Sequence, residues 1–277
     1  DHPEIRQQTA DYYNCIMRLD HYIGELIDAL KKSDNFKNTV IIYIGDHGAD
    51  VPRGKRTCYE GGVRIPMIIS WPGAKENQRR KELVSTLDLF PTICEIAELK
   101  KPNSLVGKSL KKIIHGENPS WRKVMATEYH VHSNHNPWPQ RAIRDERFKL
   151  ILNPLSGQIN PGYDFTMSKK FLSASESELM NSASEQVRQA YKISKRPPLY
   201  ELYDLESDPY EFKNLADDSK YSEQLNKLKQ LLVDWQKASG DPLISPEASK
   251  KLFDIIISAG TKERKKINYK SLMGIKP

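Results

Sequence analysis

The segment NTVIIYIGDHGADVPRGKRTCYEGGVRIPMIISW, residues 38–71, contains two apolar runs on either side of a polar, glycine-rich loop. The first run, residues 38–44, is continuous and rich in β-branched residues, which is typical of a strand buried on both faces of a parallel sheet. The second run, residues 66–71, has the same character. The segment therefore predicts two buried strands joined by a polar loop.

Helical patterns lie on both sides of this segment. Residues 4–32 carry apolar side chains at three-and-four spacing, which predicts an amphipathic helix that packs on an apolar surface. Residues 85–99 predict a second helix, with Ser85 or Thr86 as its cap and Asp88 in its first turn. The order helix, strand, loop, strand, helix indicates an α/β layered sandwich.

The pattern changes after residue 102, where short strand candidates alternate with turn-rich segments. These candidates are residues 123–128, 141–144, 148–152 and 199–205. An amphipathic helix is predicted at 220–238, and residues 163–196 read as helical or as a long excursion between strands. We therefore expect an α/β domain over 1–119 and a smaller α+β domain with an antiparallel sheet and a C-terminal helix over 120–277.

Bulk properties limit the classes of protein that this chain can represent. Its 277 residues are 38% hydrophobic with a mean hydropathy of −0.65, which indicates a folded domain and offers no run long enough to span a membrane. The three cysteines show no CxxC or zinc-like spacing, and an odd number cannot all pair internally, so a disulfide framework is not expected. The only Asn-X-Ser/Thr triplet, residues 118–120, is blocked by proline, which favours a bacterial source.

The chain is basic, with a net charge of +7 and a pI of about 9.1. Such a surplus suits acidic partners, either nucleic acid or sulfated glycans. The basic run at residues 262–270 has a simpler interpretation as a solvated tail.

Candidate functional residues lie in the loop between the two predicted strands. Asp46 and His47 directly follow the first strand, and the carboxyl ends of strands are where open α/β sheets bind ligands. An Asp oxygen and a His nitrogen side by side could supply adjacent metal ligands. A capping Asp with a surface His is the simpler alternative. Lys55 could place its charge on an anion held by that metal, or be an ordinary loop lysine.

Eight residues of this loop form one continuous motif. They are Lys55, Thr57, Tyr59, Glu60, Gly61, Gly62, Arg64 and Pro66. They match K-x-T-x-Y-E-G-G-x-R-x-P without a break, and the chain therefore resembles the sulfatase family of the alkaline phosphatase superfamily. The segments at residues 10–30, 85–97 and 199–216 also resemble sulfatase segments, in the family's order.

This resemblance implies the C-terminal part of an alkaline-phosphatase-like α/β sandwich followed by the α+β subdomain. It makes Asp46 and His47 ligands of a divalent cation, with Ca²⁺ expected and Mn²⁺ as the alternative. Asp46 would also help to activate the nucleophile, and Lys55 would stabilise charge on the sulfate. From His130 onward the chain looks most like the sulfamidases, which hydrolyse the N-sulfate of glucosamine in heparan sulfate and so take part in glycosaminoglycan degradation.

The resemblance also implies a nucleophile that this sequence lacks. Sulfatases carry a Cys or Ser in C/S-x-P/A-x-R that becomes formylglycine, and none of the three cysteines, Cys15, Cys58 and Cys94, has this context. We expect the sequence to be the C-terminal piece of a longer enzyme, inactive alone and completed by an N-terminal half. A relic that no longer catalyses is the alternative.

Further substrate contacts are predicted near YHVHSNHNPWPQR, residues 129–141. His130 and His132 share one face of an extended strand, and Arg141 follows, so that these groups could bind a sulfated sugar. A polar surface strand end is an equally good interpretation.

The expected function is hydrolysis of sulfate esters or sulfamates on sulfated sugars. A phosphodiesterase or phosphonate monoester hydrolase of the same superfamily is one alternative, and a non-catalytic heparin-binding module using residues 262–270 is another. We expect a sulfated carbohydrate as partner, with no nucleic acid and no membrane. The expected location is periplasmic or secreted in a bacterium, or lysosomal in a eukaryote.

Overall fold

The computed structural model describes residues 2–130, 138–168 and 173–258. Its α-helices are α1 (Pro3–Lys31), α2 (Glu60–Val63), α3 (Leu89–Ile96), α4 (Lys111–Ile114), α5 (Pro161–Thr166), α6 (Glu176–Asn181), α7 (Glu185–Lys195), α8 (Ser222–Ser239) and α9 (Pro246–Ser258). Its strands are β1 (Ile41–Ile44), β2 (Met67–Ser70), β3 (Met125–Tyr129), β4 (Gln140–Arg144), β5 (Phe148–Leu152) and β6 (Tyr200–Asp204). None of the helices that the structure describes is both long and apolar enough to cross a membrane.

The chain forms two compact units. The strand-pair unit comprises residues 8–45 and 66–123, and the sheet unit comprises the described parts of 1–7, 46–65 and 124–277. The loop of residues 46–65, which we expected in the first domain, therefore packs with the C-terminal part of the chain. The predicted domain division after residue 119 stays a prediction.

In the strand-pair unit, β1 and β2 are antiparallel, with Ile41 opposite Ser70 and Ile44 opposite Met67. The prediction of parallel strands buried on both faces was wrong for this pair, because both strands are only partly buried and Ile68 is 64% exposed. A run of β-branched residues favours an extended strand, but it specifies neither the direction of the partner nor the layers that cover the sheet.

The short 3-10 turn of residues 86–88, which leads directly into α3, confirms the predicted cap. Ser85 and Asp88 form a capping box, in which the Asp88 carboxylate accepts a hydrogen bond from the Ser85 amide at 2.8 Å. Asp88 is completely buried, and it also accepts from the Lys108 amide at 2.8 Å and from Arg122 at 2.5 and 2.6 Å. One carboxylate thus fixes the helix start and two later segments of the same unit.

The helix α1 agrees with its predicted extent, but its predicted packing is absent among the described residues. None of its side chains is buried, and Ile16, Leu19 and Leu26 are 41%, 46% and 70% exposed. The sequence pattern shows which face is apolar and leaves open what covers it.

The sheet unit contains the predicted antiparallel sheet, in the order β3-β4-β5-β6. Helix α8 packs Leu228 and Leu232 against Ile143, Leu150 and Leu202 on one face of this sheet. Side chains of the loop lie on another cluster, where Cys58 and Tyr59 contact Ala142, Ile151 and Tyr203. Because side chains alternate along a strand, Ala142 and Ile143 serve opposite faces, and the sheet is therefore a platform for the loop.

The segment predicted at residues 163–196 is mostly helical where the structure describes it, with turns between its helices. It contributes α5, α6 and α7, and both α6 and α7 begin with a serine whose side chain accepts an amide hydrogen bond, Ser175 and Ser184. Asn160 caps α5 in the same way, through the Gly162 amide at 2.8 Å. Residues of α5 and α7 lie beside the loop of residues 46–65 within the sheet unit.

Candidate functional site

The loop of residues 46–65, called here the glycine loop, is closed on itself by backbone hydrogen bonds. The Gly48 amide donates to the Gly62 carbonyl at 3.0 Å, and the Lys55 amide donates to the Ala49 carbonyl at 2.8 Å. A Cβ on Gly48 would lie 1.7 Å from the Gly61 oxygen, and one on Gly62 would lie 2.5 Å from the Gly54 oxygen. These glycines are required because three backbone segments pass too close for side chains.

We expect Gly62→Ala to destabilise the protein by about 1–3 kcal/mol, since its Cβ would collide with two backbone carbonyl oxygens, those of Gly54 and Thr57, both 2.5 Å away. Urea denaturation of the variant gives this value. Gly24→Ala in α1 is the control with the opposite sign, because the added Cβ meets no atom within 4 Å beyond the adjacent residues and the local helix backbone, and alanine is the better helix former, by about 0.5–1 kcal/mol. Equal stability of Gly62→Ala and the native protein would contradict the close packing.

Asp46 and His47 open the glycine loop as a contacting pair. One Asp46 oxygen accepts the His47 amide at 3.0 Å, and the other lies 3.2 Å from His47 Nε2. His47 Nδ1 lies 2.7 Å from the Gly48 carbonyl oxygen, which can only accept, so Nδ1 carries a proton. A neutral ring then directs the Nε2 lone pair at a carboxylate oxygen, and this contact needs a proton or a cation between the two atoms.

The geometry of this pair fits one edge of a metal site. Ligand atoms at bond lengths of about 2.0–2.5 Å and right angles are about 2.8–3.5 Å apart, and the Asp46–His47 contact falls in that range. The pair faces solvent, with Asp46 87% and His47 38% exposed. Within the described ranges, no group of three or more His, Cys, Asp or Glu residues could hold a metal ion. The pair therefore supplies part of a coordination shell.

Lys55 lies at the far turn of the loop, between two arginines with left-handed backbones, Arg53 (φ 63°) and Arg56 (φ 74°). It is half-buried, and no hydrogen bond or ion pair joins its ammonium to another residue in the described part of the chain. Both arginines, by contrast, are buried and bonded to neighbours. The loop thus pairs its outer cations internally, whereas its central cation has no partner among the described residues.

Two buried hydrogen bonds attach the loop to the sheet. The Cys58 amide donates to Gln140 Oε1 at 3.0 Å, and the Tyr59 hydroxyl donates to Glu201 Oε2 at 2.7 Å. Arg53 stacks over the Tyr59 ring, 3.9 Å from its centroid. Burial raises the pKa of the Cys58 thiol to about 12, so Cys58 is a neutral packing residue and not a nucleophile.

A buried ion cluster attaches the next turn of the loop. Lys149, only 1% exposed, lies 3.1 Å from carboxylates of both Glu60 and Glu211, and Arg144 lies 2.9 Å from Glu60. Burial favours a raised pKa for Glu60, but Lys149 and Arg144 outweigh it and lower that pKa. Burial dominates at Glu211 and raises its pKa. The sequence identified Glu60 only as one residue of the motif. It did not predict that Lys149, Glu201 and Glu211 would be buried beside the loop.

The predicted sugar-binding residues have different placements. His130 is 37% exposed, with Nε2 3.3 Å from Glu128, and Tyr129 before it packs against the Cys58 cluster. His132 lies outside the described residues. Arg141 is fully buried, and its guanidinium donates twice to Asp241 at 2.8 Å. A direct contact of Arg141 with substrate is therefore not supported, because its charge is already satisfied inside the unit.

The family model described as Sulfatase matches residues 1–99, a range that contains the glycine loop. The chain is similar to sulfatases over most of its length. An ulvan-active sulfatase of Formosa agariphila is 32% identical over 252 residues, covering 88% of this chain and 40% of that protein. The human N-sulphoglucosamine sulphohydrolase is 27% identical over 258 residues, covering 87% of this chain and 50% of that protein.

Solved structures agree on the fold. A structure described as a 2-O GAG sulfatase superposes with a TM-score of 0.60 at 24% identity, over 80% of this chain and 41% of that one. The chain is thus an α/β protein of the alkaline-phosphatase-like class with an added antiparallel sheet. It spans about half or less of the length of these relatives.

Proposed function

We propose that the protein hydrolyses sulfate from sulfated sugars, with the N-sulfoglucosamine units of heparan-type glycosaminoglycans as its substrate. The observation that carries this proposal is the half-buried residue Lys55, whose ammonium has no anionic partner among the described residues. It lies on the same closed loop as the Asp46–His47 pair. Similarity to sulfatases over most of the chain supports sulfate as the missing anion.

In this proposal Asp46 and His47 hold a divalent cation, most simply Ca²⁺, with Mn²⁺ as the alternative. When bound, the cation neutralises charge on the sulfate oxygens. Ca²⁺ takes about 6–8 ligands, so further oxygen ligands must come from outside this pair. The Nδ1 hydrogen bond to Gly48 fixes the ring of His47 with Nε2 beside Asp46 Oδ2, where both atoms would serve as ligands of the cation.

The chain's own residues then perform two tasks. Lys55 stabilises the negative charge that develops as the bond from sulfur to the sugar nitrogen or oxygen breaks, and the closed loop fixes its position before reaction. Asp46 helps to remove the proton of the attacking hydroxyl. That hydroxyl belongs to a formylglycine outside this sequence, supplied by the N-terminal half of the enzyme, and the chain alone is therefore expected to be inactive.

His130 and His132 are proposed contacts of the sugar. His130 leaves more than a third of its side chain exposed, and its Nε2 contact with the Glu128 carboxylate at 3.3 Å orients the ring. Imidazoles suit sugar hydroxyls and sulfate oxygens because each ring nitrogen can donate or accept. A periplasmic or secreted location in a bacterium fits a substrate that is an extracellular polysaccharide.

Sulfate release by the full-length protein tests this function. With N-sulfoglucosamine and an aryl phosphonate monoester as competing substrates, we expect kcat/KM for the sulfamate to be higher by about 100-fold or more, or about 3 kcal/mol in transition-state free energy. The reverse preference would favour a phosphonate monoester hydrolase. Metal-independent retention on heparin without any sulfate release would favour the heparin-binding module, whose basic run lies outside the described residues.

A further inference from the structure

Lys55, the cation to which the proposed function assigns the sulfate, lies in a tight turn of the glycine loop. The Lys55 amide donates to the Ala49 carbonyl at 2.8 Å, and the Gly54 amide donates to the Val51 carbonyl at 3.0 Å. A Cβ on Gly54 would lie 2.2 Å from the Ala49 oxygen, so the turn leaves no room for a side chain there. These contacts fix the backbone of Lys55 as long as the two ends of the turn stay together.

The side chain of Arg56 joins the two ends of this turn. Both of its terminal nitrogens donate to the Asp50 carboxylate, one of them at 3.2 Å, in a bidentate ion pair. Asp50 stands before the turn and Arg56 ends it, so the pair closes residues 50–56 around Lys55. An arginine suits this task because its planar guanidinium offers two parallel donors, whereas a lysine offers a point charge.

Helix α5 holds another part of the Arg56 guanidinium. A terminal nitrogen donates to Thr166 Oγ1 at 3.0 Å, and the guanidinium carbon lies 5.2 Å from the centroid of the Phe165 ring. The Arg56 side chain is only 4% exposed. Its own partners therefore shield it from any ligand, and its influence on a bound sulfate has to pass through the backbone to the neighbouring Lys55.

The backbone of Arg56 adds a second observation. Its φ of 74° lies in the left-handed region, which a residue with a Cβ adopts only at an energetic cost. The ion pair with Asp50 and the contacts with α5 offset this cost. Their loss would let residue 56 relax to another backbone conformation, and Lys55 directly before it would move as well.

We propose that Arg56 is a positioning residue for Lys55, whose ammonium it holds in place for the sulfate through the contacts with Asp50, Phe165 and Thr166. We call these contacts the Arg56 clamp. The effect on catalysis rests on the proposed function, whereas the fixing of the turn is independent of it. Such a clamp affects the rate because a misplacement of a reacting group by about 1 Å can cost about 100-fold.

Amide hydrogen exchange in the full-length protein, followed by NMR after isotope labelling of lysine and cysteine, tests the clamp without any substrate. Arg56→Lys keeps the charge and loses the bidentate contact, so the Lys55 amide should exchange faster by about 10-fold or more as the turn opens locally. The Cys58 amide should keep its protection, since it donates to Gln140 on the sheet. An unchanged Lys55 rate, or equal acceleration of both amides, would overturn the proposal.

Thr166→Val and Thr166→Ser form a second, matched pair of variants if Arg56→Lys fails to fold. Thr166→Val removes the hydroxyl that accepts from Arg56 and keeps the shape of the side chain, whereas Thr166→Ser keeps the hydroxyl. We expect faster exchange of the Lys55 amide in Thr166→Val and the native rate in Thr166→Ser. Equal exchange rates in these two variants would count against the clamp.

Kinetics of the full-length protein test whether Arg56 acts on catalysis through Lys55. Arg56→Lys should lower kcat for N-sulfoglucosamine by about 10-fold and change KM by less than about 2-fold, because the displaced ammonium acts mainly in the transition state. In a Lys55→Ala background, the same substitution should lower kcat no further. A native kcat in Arg56→Lys, or an equal loss in both backgrounds, would overturn the positioning role.

Arg188→Lys is the matched control, since Arg188 is 41% exposed and pairs with Glu185 in the same unit. Its kcat and its Lys55 exchange rate should equal those of the native protein. The exchange measurement also separates this inference from the proposed function. Faster Lys55 exchange in Arg56→Lys, together with no sulfate release by the native protein, would contradict the function and support the clamp.

Discussion

Lys55→Ala in the full-length protein is expected to lower kcat by about 100-fold or more, as the loss of one fixed charge contact to a transition state typically does. The ammonium of Lys55 makes no hydrogen bond or ion pair inside the part of the chain that the structure describes, so its removal should leave stability nearly unchanged. Lys55→Arg should recover part of the rate, because a planar guanidinium replaces a compact point charge.

Sulfate release from N-sulfoglucosamine and a thermal melt of each variant measure these effects. Lys213→Ala is the matched control, since Lys213 is exposed and lies in the same unit. Its kcat should equal that of the native protein. An unchanged kcat in Lys55→Ala, or a fall in melting temperature that accounts for the lost activity, would show that Lys55 serves only the architecture of the loop.

Lys149→Met should have the largest effect on stability. It leaves the carboxylates of Glu60 and Glu211 buried without their shared cation, and breaking a buried ion cluster in this way costs about 3–5 kcal/mol. Lys227→Met is the control, since Lys227 is 57% exposed in its pair with Asp145 and such pairs contribute about 1 kcal/mol or less. Urea denaturation at neutral pH compares the two variants.

The pH dependence of the Lys149→Met effect has a definite sign. In the native protein Lys149 holds the pKa of Glu60 below its usual value, so this carboxylate stabilises the fold above that range and loses its contribution as pH falls. Without Lys149 the folded-state pKa of both carboxyls rises, and protonation then favours the folded variant. The stability difference should therefore shrink as pH is lowered toward the carboxyl range. A difference that grows on acidification would contradict the assigned charges.

The sequence predicted those helices, strands and caps that are determined by residues close together in the chain. Strand β5 at residues 148–152 and helix α8 agree with their apolar patterns, because Leu150 packs against Leu228 and Leu232 of α8 and Ile151 packs in the cluster on the other face of the sheet. The capping box of Ser85 and Asp88 is readable from four consecutive residues. In such a cap, one short stretch of sequence contains both the capping residue and the group with which it forms a hydrogen bond.

Features that depend on distant partners could not be predicted. The antiparallel pairing of β1 and β2 and the burial of Arg141 depend on which chain segment lies opposite, and Asp241 is 100 residues from Arg141. The ion cluster is similar, since Lys149 is 89 residues from Glu60. The type of a charged residue does not show whether the residue is buried or exposed. The sequence therefore identified the motif of the loop but not the distant residues that attach the loop to the sheet.

The central claim is that the glycine loop holds a sulfate between a metal on Asp46 and His47 and the ammonium of Lys55. A crystal structure of the full-length protein with Ca²⁺ and selenate, whose selenium is located by anomalous scattering, tests it most directly. We predict a cation bonded to Asp46 Oδ2 and His47 Nε2, with a selenate oxygen within hydrogen-bond distance of Lys55 Nζ. A cation and selenate bound elsewhere, with Lys55 turned away from the anion, would contradict the account.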